Sequence, residues 1–258
     1  MTALAERQPL QIGVSINPLV SVVAAIGGQA AQTSLLVPAI TDPHTFELSP
    51  RQLRTIERSD LLVFVGLGLE FWARNFSASQ RAKLFLLGKT LLEDNPHVWL
   101  DPTLLRSRLP ELADRMCGLR PELCATFQRN LSTYQALLLQ LDQELALEIK
   151  GWSKKNFVSY HPAWHYFAKH YGLTEIGELK RGHMSDISIQ ELQELLKRSH
   201  NSGASVFLIE PRGATQQVSE FATRLGFEVV EVDDLGLAGE DYISLMRRNV
   251  GALARVMK

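Results

Sequence analysis

PELCATFQRNLSTYQALLLQLDQELALEIK, residues 121–150, is the stretch that decides the fold. Within it Leu123, Phe127, Leu131, Tyr134, Leu138, Leu141, Leu145 and Ile149 recur every three or four residues. That spacing puts them on one face of an α-helix. Pro121 and Glu122 suit its first turn, and Lys150 followed by Gly151 suits its last. At about 1.5 Å per residue the helix would run roughly 45 Å, longer than a small domain needs. It divides the chain into residues 1–120, the helix 121–150 and residues 151–258.

Outward from this helix, both flanks alternate short β runs with helical stretches. The expected class is therefore α/β, with two α/β lobes, mainly parallel sheets, and one long rigid linker helix between them. In the first lobe strands are predicted at Leu10–Ile16, Ser34–Val37, Leu61–Val65 and Leu84–Leu87. Pro18 opens a helix that Gly27-Gly28 closes, Ser49-Pro50 starts another, and Pro102–Gly118 is helical. In the second lobe strands are predicted at Phe157–Tyr160, Leu173–Ile176, Val206–Ile209 and Glu228–Val232. Helices are predicted at Ala163–Tyr171, from Ser188 to about His200, at Thr215–Leu225 and at Gly239–Met257; Ser188 with Glu191 reads as a capping box.

The whole-chain numbers exclude several classes. With 45% hydrophobic and 21% charged residues, the 258-residue chain has ordinary globular composition. A net charge of −1 gives no field that would favour nucleic acid or an anionic membrane. No apolar run approaches the roughly 20 residues of a membrane span. The start, MTALAERQPL, lacks a secretory pattern, although Ala3-Leu4-Ala5 resembles the tail of a cleavage site. Cys117 and Cys124 form either a local bridge or two buried thiols, and apolar Met116 and Leu123 beside them favour thiols.

Three histidines occupy equivalent places. His44 lies in Asp42-Pro43-His44-Thr45-Phe46 after the second strand, and His97 in Asn95-Pro96-His97-Val98-Trp99 after the fourth. His161 follows the strand Phe157–Tyr160, and Asp233 follows Glu228–Val232. Open α/β sheets bind ligands at the carboxyl ends of their strands. Three imidazoles and one carboxylate, two from each side, make a tetrahedral Zn²⁺ shell. Pro43 and Pro96 stiffen the backbone before their histidines, so less entropy is lost when a ring is held on a metal. Because imidazoles must be neutral to bind, affinity is expected to weaken as pH falls through about 6.5.

Other residues are read more plainly. His165 stands four after His161, but Pro162 puts His161 ahead of the helix, so the two are not expected to share a metal. His170 and His200 are surface residues near helix ends, His183 is a reserve ligand, and Asp234 is a reserve carboxylate. Glu210 follows the strand Val206–Ile209 and could face the cleft, but a salt bridge or capping role with Arg212 is the expected reading. Trp99, Trp164 and Tyr166 are expected to wall the site.

The runs Val14-Ser15-Ile16 and Leu19–Val23, Asp42–Glu47 with Ser49-Pro50, Asn95–Pro102, Tyr160–Trp164 with Tyr166–Ala168, and Asp233–Gly236 occur in order. Together they resemble the zinc- and manganese-binding solute-binding proteins of ABC importers. The resemblance implies extracytoplasmic capture of a divalent metal between two lobes and delivery to an ABC permease. His44, His97, His161 and Asp233 would be the ligands. It also implies a periplasmic or membrane-anchored location and a protein that is not an enzyme. A monomer is expected, with no nucleic-acid partner. Zn²⁺ is favoured over Mn²⁺ or Fe²⁺, since three nitrogens suit zinc and manganese prefers oxygen. Two departures stand out: Leu87–Asn95 is short and lacks the His-rich loop of many zinc members, and His183–Ser188 replaces a Glu-Pro-Ser-Pro segment. The competing classes are a zinc hydrolase, which would need a free coordination position and a general base, and a binder of an organic solute.

Overall fold

A computed structural model of the chain describes residues 8–181, 185–186, 188–212 and 215–258. Ala3-Leu4-Ala5 and His183 lie outside them. The strands are β1 (Leu10–Val14), β2 (Ala31–Leu35), β3 (Leu61–Phe64), β4 (Leu84–Leu86), β5 (Asn156–Ser159), β6 (Thr174–Glu178), β7 (Lys180–Arg181), β8 (Ser185–Asp186), β9 (Val206–Ile209) and β10 (Glu228–Glu231). The helices are α1 (Asn17–Gly27), α2 (Pro50–Arg58), α3 (Ala78–Ala82), α4 (Pro102–Leu119), α5 (Cys124–Lys150), α6 (His165–Tyr171), α7 (Ile189–Ser202), α8 (Gln216–Arg224) and α9 (Tyr242–Met257).

Two four-stranded sheets result, ordered β2-β1-β3-β4 and β10-β9-β5-β6. Every pairing in both is parallel. Helices cover both faces of such sheets, so central strands are continuous apolar runs; β3 (LLVF) and β9 (VFLI) are buried at every position. All strands of a parallel sheet end on the same edge. The loops after β2, β4, β5, β9 and β10 therefore supply the residues singled out from sequence.

The linker helix is present. Pro121–Leu123 forms a 3-10 turn that leads into α5, and α5 buries Phe127, Leu131, Tyr134, Leu138, Leu141, Leu145 and Ile149. A fully buried side chain of this size contributes roughly 1.5–3 kcal/mol. This stripe does not merely bridge the lobes. One apolar cluster runs from Leu10 and Val14 through Leu105, Leu109 and the α5 stripe to Trp164, Tyr242 and Met257. The two lobes thus share one core, with smaller clusters under α2 and between α7 and α8.

Two expectations are corrected. The second strand is Ala31–Leu35 rather than Ser34–Val37. It is an edge strand whose Gln32, Thr33 and Ser34 are not fully buried, so its apolar signal is weak and the neighbouring Leu35-Leu36-Val37 run draws the reading forward. Cys117 and Cys124 are bridged, not free. The chain reverses between α4 and α5, leaving the two Cα atoms 4.5 Å apart, within bridging range. Both cysteines are only half-buried at that corner.

Candidate metal centre

The two Asx-Pro-His segments fold alike. The His44 backbone N–H donates to Asp42 Oδ1 at 2.9 Å, and the His97 N–H donates to Asn95 Oδ1 at 2.9 Å. Each is an Asx turn, in which a short side chain replaces a backbone turn bond while proline fixes the residue between. His161 is presented differently. Tyr160, just past β5, donates to Leu208 O, and Ala163 N–H donates back to His161 O at 2.8 Å, so the ring emerges from a tight turn ahead of α6.

These three rings meet. His97 Nε2 lies 3.3 Å from His44 Nε2 and 3.3 Å from His161 Nε2. One nitrogen of each ring falls within 4.8 Å of those of the other two. Among the described residues this is the one group of three metal-ligating side chains so arranged. Zn–N bonds of about 2.05 Å at tetrahedral angles set ligand nitrogens about 3.3 Å apart, the separation that His97 keeps from each of the other two rings. His97 is 1% exposed and packs on Trp99, ring centroids 5.2 Å apart. Trp99, Trp164 and Tyr166 are buried.

The far nitrogens decide which way the lone pairs point. Asn95 Oδ1 already accepts the His97 amide, and its Nδ2 donates to Pro162 O at 2.6 Å, which fixes the carboxamide orientation. His97 Nδ1, 2.8 Å from the same oxygen, is then the donor. That leaves Nε2 as the lone-pair nitrogen facing the cluster. His161 Nδ1 is 2.8 Å from Glu210 Oε2 in an ion pair, and Trp164 Nε1–H donates to Glu210 Oε1 at 3.0 Å. Burial alone would lower the His161 pKa, but the Glu210 carboxylate outweighs it and holds the imidazole up at about 9. Freeing the His161 nitrogen for a metal is therefore harder than the ordinary imidazole value of about 6.5 implies.

Asp233 is not brought to the histidines. Its Oδ1 accepts Arg212 Nη2 at 2.9 Å and the Leu235 N–H at 3.1 Å, and its Oδ2 accepts Arg248 Nη2 at 3.2 Å. Burial pushes its pKa up, yet the Arg212 guanidinium more than compensates and keeps it below the usual carboxylate range. Asp234 also bonds Arg212. Arg212, expected beside Glu210, instead serves these two aspartates, and Glu210 serves His161. His165 bonds Glu93 at 2.7 Å and stands outside the cluster. His170 is half-exposed between Asp142 (2.7 Å) and Asp101 (3.7 Å). What sequence reasoning missed is that Glu210 and Asn95 hold the Nδ1 atoms of His161 and His97. Glu210 follows a strand directly, as the histidine sites do, and Asn95 repeats the position of Asp42.

A family model described as ZnuA, zinc-uptake complex component A, periplasmic, matches residues 12–256. The chain belongs to this family. A putative metal-binding protein of Thermotoga maritima is 29% identical over 250 residues, covering 96% of this chain and 92% of that protein. The zinc-binding protein AdcA of Streptococcus pyogenes serotype M3 is 24% identical, and its match covers 95% of this chain but 55% of AdcA. The chain thus spans about half the length of AdcA. Among solved structures, a ZnuA superposes with a TM-score of 0.86 at 26% identity, covering 97% of this chain and all of that one. A ZnuA 138–173 deletion mutant with zinc bound gives 0.83 at 27% identity, covering 96% of each chain. Two α/β lobes on a long helix are the architecture of this family.

Proposed function

We propose that the protein captures a zinc ion outside the cytoplasm, using His44, His97 and His161, and passes it to an ABC permease. The observation that carries this reading is the convergence of three imidazole nitrogens within 4.8 Å of one another, with His97 Nε2 at 3.3 Å, the edge of a zinc tetrahedron, from Nε2 of both His44 and His161. The oriented Nδ1 partners Asn95 and Glu210 support it, since metal-bound imidazoles as a rule donate their second N–H. The zinc named in the AdcA and ZnuA relatives points the same way. A disulfide between Cys117 and Cys124 suits an oxidising compartment. No helix among the described residues is long and apolar enough to cross a membrane. We read the lobe boundaries as 1–120 and 151–258 around the linker 121–150, and the partners as one divalent ion and a permease.

The protein is a carrier rather than an enzyme on this reading. A zincin-type hydrolase would use His161 and His165 together, and His165 is engaged with Glu93 instead. The donor set of three imidazoles favours Zn²⁺ over the oxygen-seeking Mn²⁺. Zinc titration of His44→Ala, His97→Ala and His161→Ala tests the site. Each variant is expected to lose most of its affinity, and wild-type binding by any two would refute it.

A further inference from the structure

We infer that Phe46 is a positioning residue for the metal site: its ring, seated against Trp72, holds in place the loop that carries His44 and so sets how fast zinc leaves. This rests on the three-histidine site proposed above. The chain leaves β2 through Leu36 and Val37, both buried, and enters α2 at Pro50. What lies between, His44 included, is neither helix nor strand. The first end of this loop is fixed by the sheet: the Leu36 N–H donates to Val14 O at 2.8 Å and the Val37 N–H to Ser15 O at 3.1 Å. The second end returns to the same place. Leu36 and Val37 belong to the smaller apolar cluster that includes Phe64, Trp72 and Phe76, and Phe46 and Leu48 pack against that cluster. The chain thus leaves and re-enters one apolar seat with His44 on the span between, the form of a compact loop closed by its own side chains.

The seat is aromatic. Trp72 stands edge-on to Phe46, with ring centroids 6.5 Å apart and planes at 78°, and is itself packed on Phe64 at 5.1 Å and on Phe76 at 5.8 Å. Trp72 Nε1 is buried without a hydrogen-bond partner, so the indole holds Phe46 by ring packing and not through its N–H. At this end α2 does not close on β2: an open cleft of about 410 Å³ lies between them, lined in part by Ser34, Leu36, Pro38, Arg51 and Thr55. The bonds from His44 N–H and Thr45 N–H to Asp42 are local. They shape the turn and join it to nothing outside itself. Nearer the first end, Ala39 O accepts Arg212 Nη1 of the other lobe at 3.4 Å. Phe46 stands two residues past His44 and is the larger of the two side chains that bring the second end into the cluster. A ligand borne on a loop is held only as firmly as the loop, and affinity falls with the fraction of time the loop is in place.

Stopped-flow transfer of zinc to an excess of chelator measures its release. Phe46→Ala is expected to release zinc about tenfold faster than wild type, as the loss of an aromatic contact implies, and Phe46→Leu, which keeps an apolar side chain in the seat, to restore most of the wild-type rate. A double-mutant cycle on zinc affinity reads positioning itself. Because Phe46 acts through His44, Phe46→Ala is expected to weaken binding in the wild-type background and to add nothing to His44→Ala. Phe76→Leu, a change in the same cluster away from the loop, is expected to lower thermal stability and leave release unchanged. Wild-type release in a folded Phe46→Ala protein overturns the inference, and so does an equal loss of affinity with and without His44. Release accelerated as much by Phe76→Leu as by Phe46→Ala overturns it too, since the effect would then be one of lobe stability. If Phe46→Ala does not fold, Phe46→Val takes its place with the same expectations. His44→Ala separates the two readings: loss of zinc there, with wild-type release in Phe46→Ala, removes only this inference, whereas wild-type binding there removes the site itself.

Discussion

Replacing Glu210 by glutamine pits two effects against each other, and pH decides which wins. Glu210 orients His161 through the 2.8 Å contact to Nδ1 and is itself held by Trp164. Losing such an outer partner weakens metal binding by about 10–100-fold. The same carboxylate also holds the His161 imidazole near pKa 9, against the lowering effect of burial. At pH 7.5 the wild-type ring is therefore about 1.5 units below its pKa, and displacing its proton costs about 2 kcal/mol, or roughly 30-fold in affinity. At pH 6.5 the same competition reaches about 300-fold. Without Glu210 the ring returns to the ordinary range or below, and this penalty nearly vanishes. Glu210→Gln should thus bind zinc about 10–100-fold more weakly at pH 9, and the gap should close to parity or reverse near pH 6.5. Chelator-competition titrations at half-unit pH steps measure the ratio. Calorimetry in buffers of different ionisation enthalpy counts the proton released at pH 7.5, which should be near one in wild type and smaller in the variant. The metal-free protein should show the opposite slope. A raised His161 pKa stabilises the fold fully below about pH 6.5, and that contribution is lost as pH rises through about 9. A wild-type to variant affinity ratio that stays constant from pH 6.5 to 9 would refute the reasoning.

Asn95→Ala should weaken zinc binding by about 10–100-fold, because His97 loses the oxygen that fixes its tautomer; isothermal titration at pH 8 checks this, and an unchanged affinity counts against the tautomer argument. Opening the Cys117–Cys124 bridge by a double change to serine closes no site and should leave zinc affinity intact. It should lower stability in urea by roughly 2–2.5 kcal/mol, the chain-entropy value for a loop this short. Leu138→Ala, which empties a fully buried position on α5, should cost about 2–5 kcal/mol. If the lobes fold together, as their shared core demands, that variant should still melt in a single transition by calorimetry.

The parts legible in the sequence were those set by local periodicity. The α5 stripe declares itself because each apolar residue in it serves one continuous face. The histidines stand out because strand ends of parallel sheets converge on one edge, and because Asx-Pro-His reads as a preformed turn. What stayed hidden depends on pairings between distant segments. Glu210 finds His161 across the sheet, between the neighbouring strands β9 and β5. Arg212 and Arg248 find Asp233 from a loop and from α9, and nothing in the spacing of Asp233 forecasts two guanidiniums. The bridge at Cys117 and Cys124 required knowing how sharply α4 turns into α5. The misplaced β2 shows the same limit at the level of a strand, since an edge strand need not be apolar to pair.

How such a site releases its cargo follows from how the lobes are joined. Besides the shared core, polar bonds stitch them across the cleft. Asn17 Nδ2 donates to Leu235 O and Leu237 O, Trp99 Nε1 to Asp234 O, Tyr242 Oη to Trp99 O, and Tyr166 Oη to Asn95 O. A hinge opening that parted the lobes would break these buried bonds and expose apolar surface at about 25 cal/mol for each Å². The turn that carries His44 is less enclosed than these contacts. His44 is only half-buried, and the bonds that shape its turn include the Asx bond and a 3.4 Å backbone contact from Thr45 to Asp42. His97, in contrast, is buried and fixed by Asn95 and Trp99. Withdrawing the His44 loop therefore removes one imidazole at a small fraction of the penalty of parting the lobes. On the proposed reading, the His44 loop is the least enclosed part of the site, while α5 and the common core keep His97 and His161 in register.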